Sequence, residues 1–237
     1  MFTDRIERKD FDKMPKEYRE LLVRVLIVQT DSELGGPDLY LEHWLREAPT
    51  VEDQLLLAKT AYEEIDHHRR FGKILRELGV DPDPITHQRR EDRILETFRY
   101  PLETWGEMGA FGCLIDRVGQ FHLEDFGECS YLPVARIIPR ILREEKMHIA
   151  HGENILRGLC KTPEGKLEAQ AAVDKMYPRG LDMFGRSDSR RSEQFRKWGI
   201  KGRANAESRQ AYRDTVDPSI VALGLTLPDP EKDRHFL

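Results

Sequence analysis

Apolar residues recur every three to four positions along almost the whole chain, and strand-like alternation is nearly absent, so the pattern predicts an all-α protein. A first helix is expected after Pro15, through Leu22, Val25, Leu26 and Gln29 to Glu33, where Gly35-Gly36-Pro37 should kink or break it. A short segment from Leu39 to Glu47 follows, and the turn Ala48-Pro49-Thr50 leads into a second long helix from about Val51 to Leu78. Thr50 with Asp53 resembles a capping box, and Gly79 is placed to close the far end. Pro82 and Pro84 mark a loop ahead of a polar helix from about Ile85 to Arg99. A third bundle helix starts at Pro101, a fourth runs from about Val134 to Leu159, and Thr162-Pro163-Glu164 starts a further helix that ends before Pro178. The expected organisation is a helical bundle over residues 1–177 with extra helices, and an extended C-terminal tail over residues 178–237 packed on it.

Two short runs stand out on this pattern: Glu64-Ile65-Asp66-His67 and Glu145-Lys146-Met147-His148. Residues three apart share a helix face, so each run aims a carboxylate and an imidazole at one point. Leu57, Ala61, Glu64, His68 and Phe71 recur at helical spacing, as do Ile138, Ile141, Glu145, His148 and Gly152. Both pairs therefore fall on or beside the apolar stripe, where ionisable groups are costly unless something compensates them. One such pair alone is a weak signal in a chain this rich in charge. Two of them, each facing a helix that brings one more carboxylate, make the ligand set of a carboxylate-bridged di-metal site in a four-helix bundle.

Hairpin geometry locates the missing carboxylates, because antiparallel helices bring together residues equidistant from their turn. A turn centred between positions 48 and 49 mirrors Glu64 onto Glu33. The turn Ser130-Tyr131-Leu132-Pro133, centred near 130 and 131, mirrors Glu145 onto Asp116. Glu124 would miss the level of Glu145 by roughly 12 Å at helical rise and reads as surface. The candidate ligands are thus Glu33, Glu64, His67, Asp116, Glu145 and His148. Gln29, one turn before Glu33, is placed to hydrogen-bond a ligand carboxylate. His68 is either a support to the ligands or surface, and His151 reads as surface. Glu63 and Glu144 point about 100° away from the ligand glutamates and read as solvated. Gly112 and Gly119 on the Asp116 helix either give a substrate room near the metals or serve close helix packing, and the second reading is preferred.

Composition narrows the class. Charged residues make up 34% of the chain and mean hydropathy is -0.63, so no apolar run approaches a membrane span. The start, Met1-Phe2-Thr3-Asp4-Arg5-Ile6-Glu7, has no apolar signal core, and Cys113, Cys129 and Cys160 show no paired spacing. A cytoplasmic enzyme is expected. The net charge of -5 gives no reason to expect nucleic-acid binding. The tail carries a basic run: Arg186, Arg190, Arg191, Arg196, Lys197, Lys201 and Arg203 against Asp188 and Glu193. That run is either a solvated arm or a clamp for the phosphates of a bulky substrate, with Arg196, Lys197 and Lys201 as candidates.

The order Glu33, Glu64-x-x-His67, Asp116, Glu145-x-x-His148 resembles the catalytic-subunit family of bacterial multicomponent phenylacetyl-CoA epoxidases, which are ferritin-like di-iron oxygenases. So do the tail stretches Met183-Phe184-Gly185, Trp198-Gly199-Ile200-Lys201 and Leu223-Gly224-Leu225-Thr226-Leu227-Pro228-Asp229-Pro230. The resemblance implies a ferritin-like four-helix bundle that holds two iron ions, with manganese an alternative in one or both positions. It also implies transfer of one oxygen atom from O2 to the aromatic ring of phenylacetyl-CoA or a similar acyl-CoA. Electrons would come from a flavin/iron–sulfur reductase, and a structural ferritin-like subunit would pair with this one; in isolation the chain could form a homo-oligomer. Three other readings stay open: a non-catalytic structural subunit of the same complex, a stand-alone di-metal oxidase on another substrate, and an iron-storage or peroxide-detoxifying ferritin relative.

Overall fold

The computed structural model describes residues 2–236, which are 73% helical. Among the described residues the only extended pairing is an isolated bridge between Ile6 and Tyr131. The elements are α1 (Arg8–Phe11), α2 (Lys16–Leu39), a π-helical turn (Tyr40–Trp44), α3 (Leu45–Glu47) and α4 (Val51–Glu77). A connector follows with α5 (Asp83–Thr86) and two 3-10 turns (Arg90–Asp92 and Glu96–Phe98). Next come α6 (Trp105–Ala110), a second π-helical turn (Phe111–Ile115), α7 (Asp116–Gly127), α8 (Leu132–Leu159) and α9 (Pro163–Met183). The tail adds α10 (Arg190–Lys197) and α11 (Asn205–Ala222). The all-α expectation holds, and the helical content is that of a ferritin-like bundle fold. None of these helices is long and apolar enough to cross a membrane.

Local chemistry accounts for several ends. Thr50 Oγ1 accepts the Asp53 N–H at 3.1 Å to open α4, and Gly79 closes it with φ +82, a conformation that only glycine adopts freely. Four expectations about boundaries fail, each for a physical reason. Gly35-Gly36-Pro37 does not break α2: although Pro37 removes one backbone N–H, the stretch is buried and its packing holds the helix together. The irregularity is absorbed just beyond, where the Tyr40 N–H reaches the carbonyls of both Gly36 and Pro37 and the π turn begins. The polar helix expected from Ile85 to Arg99 is replaced by short turns, since side chains of α2 draw the backbone at Ile94 out of helical pairing. The third bundle helix begins at Trp105 rather than Pro101, because Thr104 Oγ1 takes the Glu107 N–H as its cap. α9 runs through Pro178 to Met183, with that proline buried in the core.

The chain forms two compact units. The first comprises residues up to Pro101, Glu124–Ile141 and Arg191–Gly202. Its core is built where α2 packs on α4, with Tyr18, Leu22 and Leu26 of α2 and Leu57, Phe71 and Leu75 of α4 fully buried. The second comprises Leu102–Leu123, Leu142–Arg190 and residues from Arg203 on. There α6 packs on α9, and the rings of Phe121, Phe184 and Tyr212 meet with centroids 5.4–6.5 Å apart.

Candidate metal centre

In the first unit, Leu26, Thr30 and Glu33 succeed one another at helical spacing on α2, and Thr60, Glu64, His67 and Phe71 do so on α4. All seven are buried, and Glu33 is only 3% exposed. His67 Nδ1 lies 3.4 Å from Glu33 Oε2 and 3.9 Å from Glu64 Oε2. One ligand atom from each of the three lies within 4.8 Å of the others. Two carboxylates this close and this dry repel each other and lose their hydration, so the arrangement calls for a cation. The donor set, carboxylate oxygens with an imidazole nitrogen, suits iron or manganese. Gln29 Nε2 donates to Glu33 Oε1 at 2.5 Å, which leaves Oε2 as the oxygen facing His67.

His68, next in sequence, faces elsewhere. Its Nδ1 donates to the Thr30 carbonyl at 2.8 Å, so Nε2 accepts from the Thr86 hydroxyl at 2.9 Å in the neutral ring. Burial lowers its pKa, with the Thr30 carbonyl acting in the opposite direction. His68 therefore ties α2 to the connector and does not turn toward Glu33.

The second unit repeats the Glu-x-x-His pair on α8. Glu145 and His148 are buried, with Nδ1 of the imidazole 3.5 Å from Glu145 Oε2. Asp116 opens α7 directly after the second π turn and is half-buried. An added Cβ at Gly112 would sit 3.2 Å from Gly152 Cα and 3.3 Å from the His148 carbonyl, so Gly112 serves close packing as expected; one at Gly119 would meet nothing within 4 Å. The close-packing expectation for Gly119 therefore fails, and two further expectations are corrected. His151 is buried, not surface, because its ring stands edge-on to Trp105. Glu63 is buried too, with Lys59 Nζ 3.5 Å away supplying the compensating charge.

Two of the candidate tail cations, Lys197 and Lys201, are engaged by the first unit itself. Lys197 pairs with Glu17 at 3.3 Å, and that carboxylate also accepts from Trp198 Nε1 and Gln194 Nε2. The Lys201 ammonium lies near the rings of Phe126 and Phe195, and burial lowers its pKa against the pull of Asp125. Arg196 is half-buried. Sequence patterning gave no sign of Arg93 or Tyr212, and it did not single out Asp31; all three are buried at contacts distant in the chain. Asp31 carried the one available signal, a carboxylate among apolar positions of α2.

Residues 5–235 match the family described as phenylacetic acid catabolic protein. Over 230 residues the chain is 30% identical to one polypeptide of the 1,2-phenylacetyl-CoA epoxidase of Escherichia coli (strain K12), covering 95% of this chain and 74% of the relative. Over 229 residues it is 28% identical to benzoyl-CoA oxygenase component B of Aromatoleum evansii, covering 83% of this chain and 48% of that relative. The chain belongs to the phenylacetic acid catabolic protein family.

Proposed function

We propose that this protein is the metal-bearing subunit of a cytoplasmic oxygenase acting on the aromatic ring of an acyl-CoA, with phenylacetyl-CoA the leading substrate. The observation that carries the reading is the buried trio Glu33, Glu64 and His67, whose like-charged carboxylates need a cation, together with its Glu145/His148 echo. The relatives named as a phenylacetyl-CoA epoxidase and a benzoyl-CoA oxygenase support the substrate class. Glu33, Glu64 and His67 would serve one half of a di-metal site, and Asp116, Glu145 and His148 the other. Two iron ions, or manganese in one or both positions, would supply reductive activation of O2 when bound. In the balanced reaction one oxygen atom adds to the ring and the other leaves as water, using two electrons and two protons. Gln29 fixes the orientation of the Glu33 carboxylate through Oε1.

The electrons would come from a flavin/iron–sulfur reductase, and a structural ferritin-like subunit would pair with this chain. Val51, Leu55, Tyr62 and Ile65 remain exposed on one stripe of α4, a surface that a partner helix can cover. In this reading Arg196, Lys197 and Lys201 meet the CoA phosphates, with Lys197 exchanging Glu17 for phosphate. Elemental analysis of the purified protein should find about two iron or manganese ions per chain, with loss in Glu64→Ala and in Glu145→Ala. Full occupancy in both variants would overturn the site. Calorimetric affinity for the thioester should exceed that for free phenylacetate; equal affinities would remove CoA from the substrate.

A further inference from the structure

We infer that Arg93 is a positioning residue for Glu33, an inference that rests on the di-metal reading. Arg93 is 1% exposed and sits in the connector between α4 and α6. Its guanidinium spans two carboxylates of α2: Nη1 donates to Asp31 at 3.1 Å, while Nε and Nη2 donate to Asp38 Oδ2 at 3.0 and 2.7 Å. Nη1 also donates to the Ile85 carbonyl, and the second oxygen of Asp31 accepts the Ile94 N–H at 2.8 Å. Asp31 is 0% exposed, so the Arg93–Asp31 arm of this network is sealed from water, while Asp38 is part-exposed.

Asp31, Gly35 and Asp38 stand at i, i+4 and i+7, one stripe along α2. Glu33 is two residues, about 200°, from Asp31 and therefore points the opposite way, toward α4. The connector thus grips α2 from behind while Glu33 projects from the front. The Phe98 ring fills the gap between the two gripped carboxylates, lying so close to Gly35 that a Cβ there would collide with it. His68 adds a further tie, from the Thr30 carbonyl to Thr86 of α5.

The grip falls where α2 is weakest. Two glycines follow Glu33, and Pro37 offers no N–H to the Glu33 carbonyl four residues back. Helical hydrogen bonding alone therefore holds Glu33 poorly. A buried ion pair contributes little net stability against an apolar alternative, yet its directional fork fixes geometry. Arg93 is suited to that second task.

The test is an anaerobic cobalt(II) titration of the metal-free protein, followed through the visible ligand-field bands. Wild type should show two binding phases. Arg93→Lys keeps the charge but loses the fork, and should weaken one phase 10–100-fold while leaving the other unchanged. A purely structural role would shift both phases together, and that outcome overturns the inference. Should Arg93→Lys fail to fold, Asp38→Asn decides, since Asp38 is part-exposed and loses only one arm of the grip. Wild-type affinities in a folded Asp38→Asn variant, or in Arg93→Lys, likewise overturn it. No cobalt binding by wild type would instead defeat the di-metal reading itself.

Discussion

The two Glu-x-x-His halves carry the same residue types but are braced by different physics. Around Glu33 the brace is made of side chains: an Arg93 fork on two carboxylates, a Phe98 ring on Gly35, and a histidine linking two elements. Around His148 the brace is backbone on backbone. A Cβ on Gly152 would collide with the Cys113 nitrogen and lie 2.7 Å from the Gly109 carbonyl oxygen and the Gly112 carbonyl carbon. Side chains can be exchanged in compensating pairs, whereas main-chain atoms cannot. The first half should therefore tolerate retuning, and the second should be rigidly specified.

The largest effect expected from this contrast is that of Gly152→Ala. One methyl group must force α8 away from the turn that precedes Asp116, and every colliding atom is main chain. The expected loss is about 3 kcal/mol of unfolding free energy in urea, at the upper end for overpacking. A loss below about 1 kcal/mol would show that the two backbones part easily, and the contrast would fail.

Gly35→Ala probes the other brace. Alanine improves helix propensity by about 1 kcal/mol, but the new methyl overlaps the Phe98 ring, at a cost of about 1–3 kcal/mol. A net loss of about 1 kcal/mol is expected, and adding Phe98→Leu should recover part of it, with a coupling of at least about 0.5 kcal/mol. An additive double mutant would show that the ring is not what restrains this position.

Much of the frame was legible because it depends on local chemistry or on counting. Thr50 and Gly79 cap α4 as their residue types demand, and mirroring about the first turn pairs Glu33 with the Glu64/His67 run, which α2 and α4 bring together. The misreadings involve contacts distant in sequence. Arg93 meets Asp31 across 62 residues, and nothing near either one announces the other. The same network replaces the expected polar helix with turns, since Ile94 gives its N–H to Asp31. His151 reads as surface from its own helix alone, yet Trp105 covers it from another. The π turns have no compositional signature either. They arise where Pro37 and the glycines 109 and 112 loosen a helix that packing then holds.

The smallest effect concerns those π turns. A π turn shifts its hydrogen bonds by one residue and leaves a carbonyl to be satisfied from outside. In the second unit the Tyr212 hydroxyl adds such an outside donor, reaching the Leu114 carbonyl at 3.2 Å from the fully buried ring on α11. Burial also raises the phenol's pKa well above its usual value, so it remains a donor across the physiological range. Tyr212→Phe keeps the ring packing against Phe121 and Phe184 and removes only the donor. The expected cost is about 1 kcal/mol, the usual net contribution of one intramolecular hydrogen bond. Hydrogen exchange should rise in residues 111–116 of this variant, while residues 40–44 in the first unit stay unchanged. Equal exchange in wild type and variant would mean that the tail helix covers the π turn without holding it.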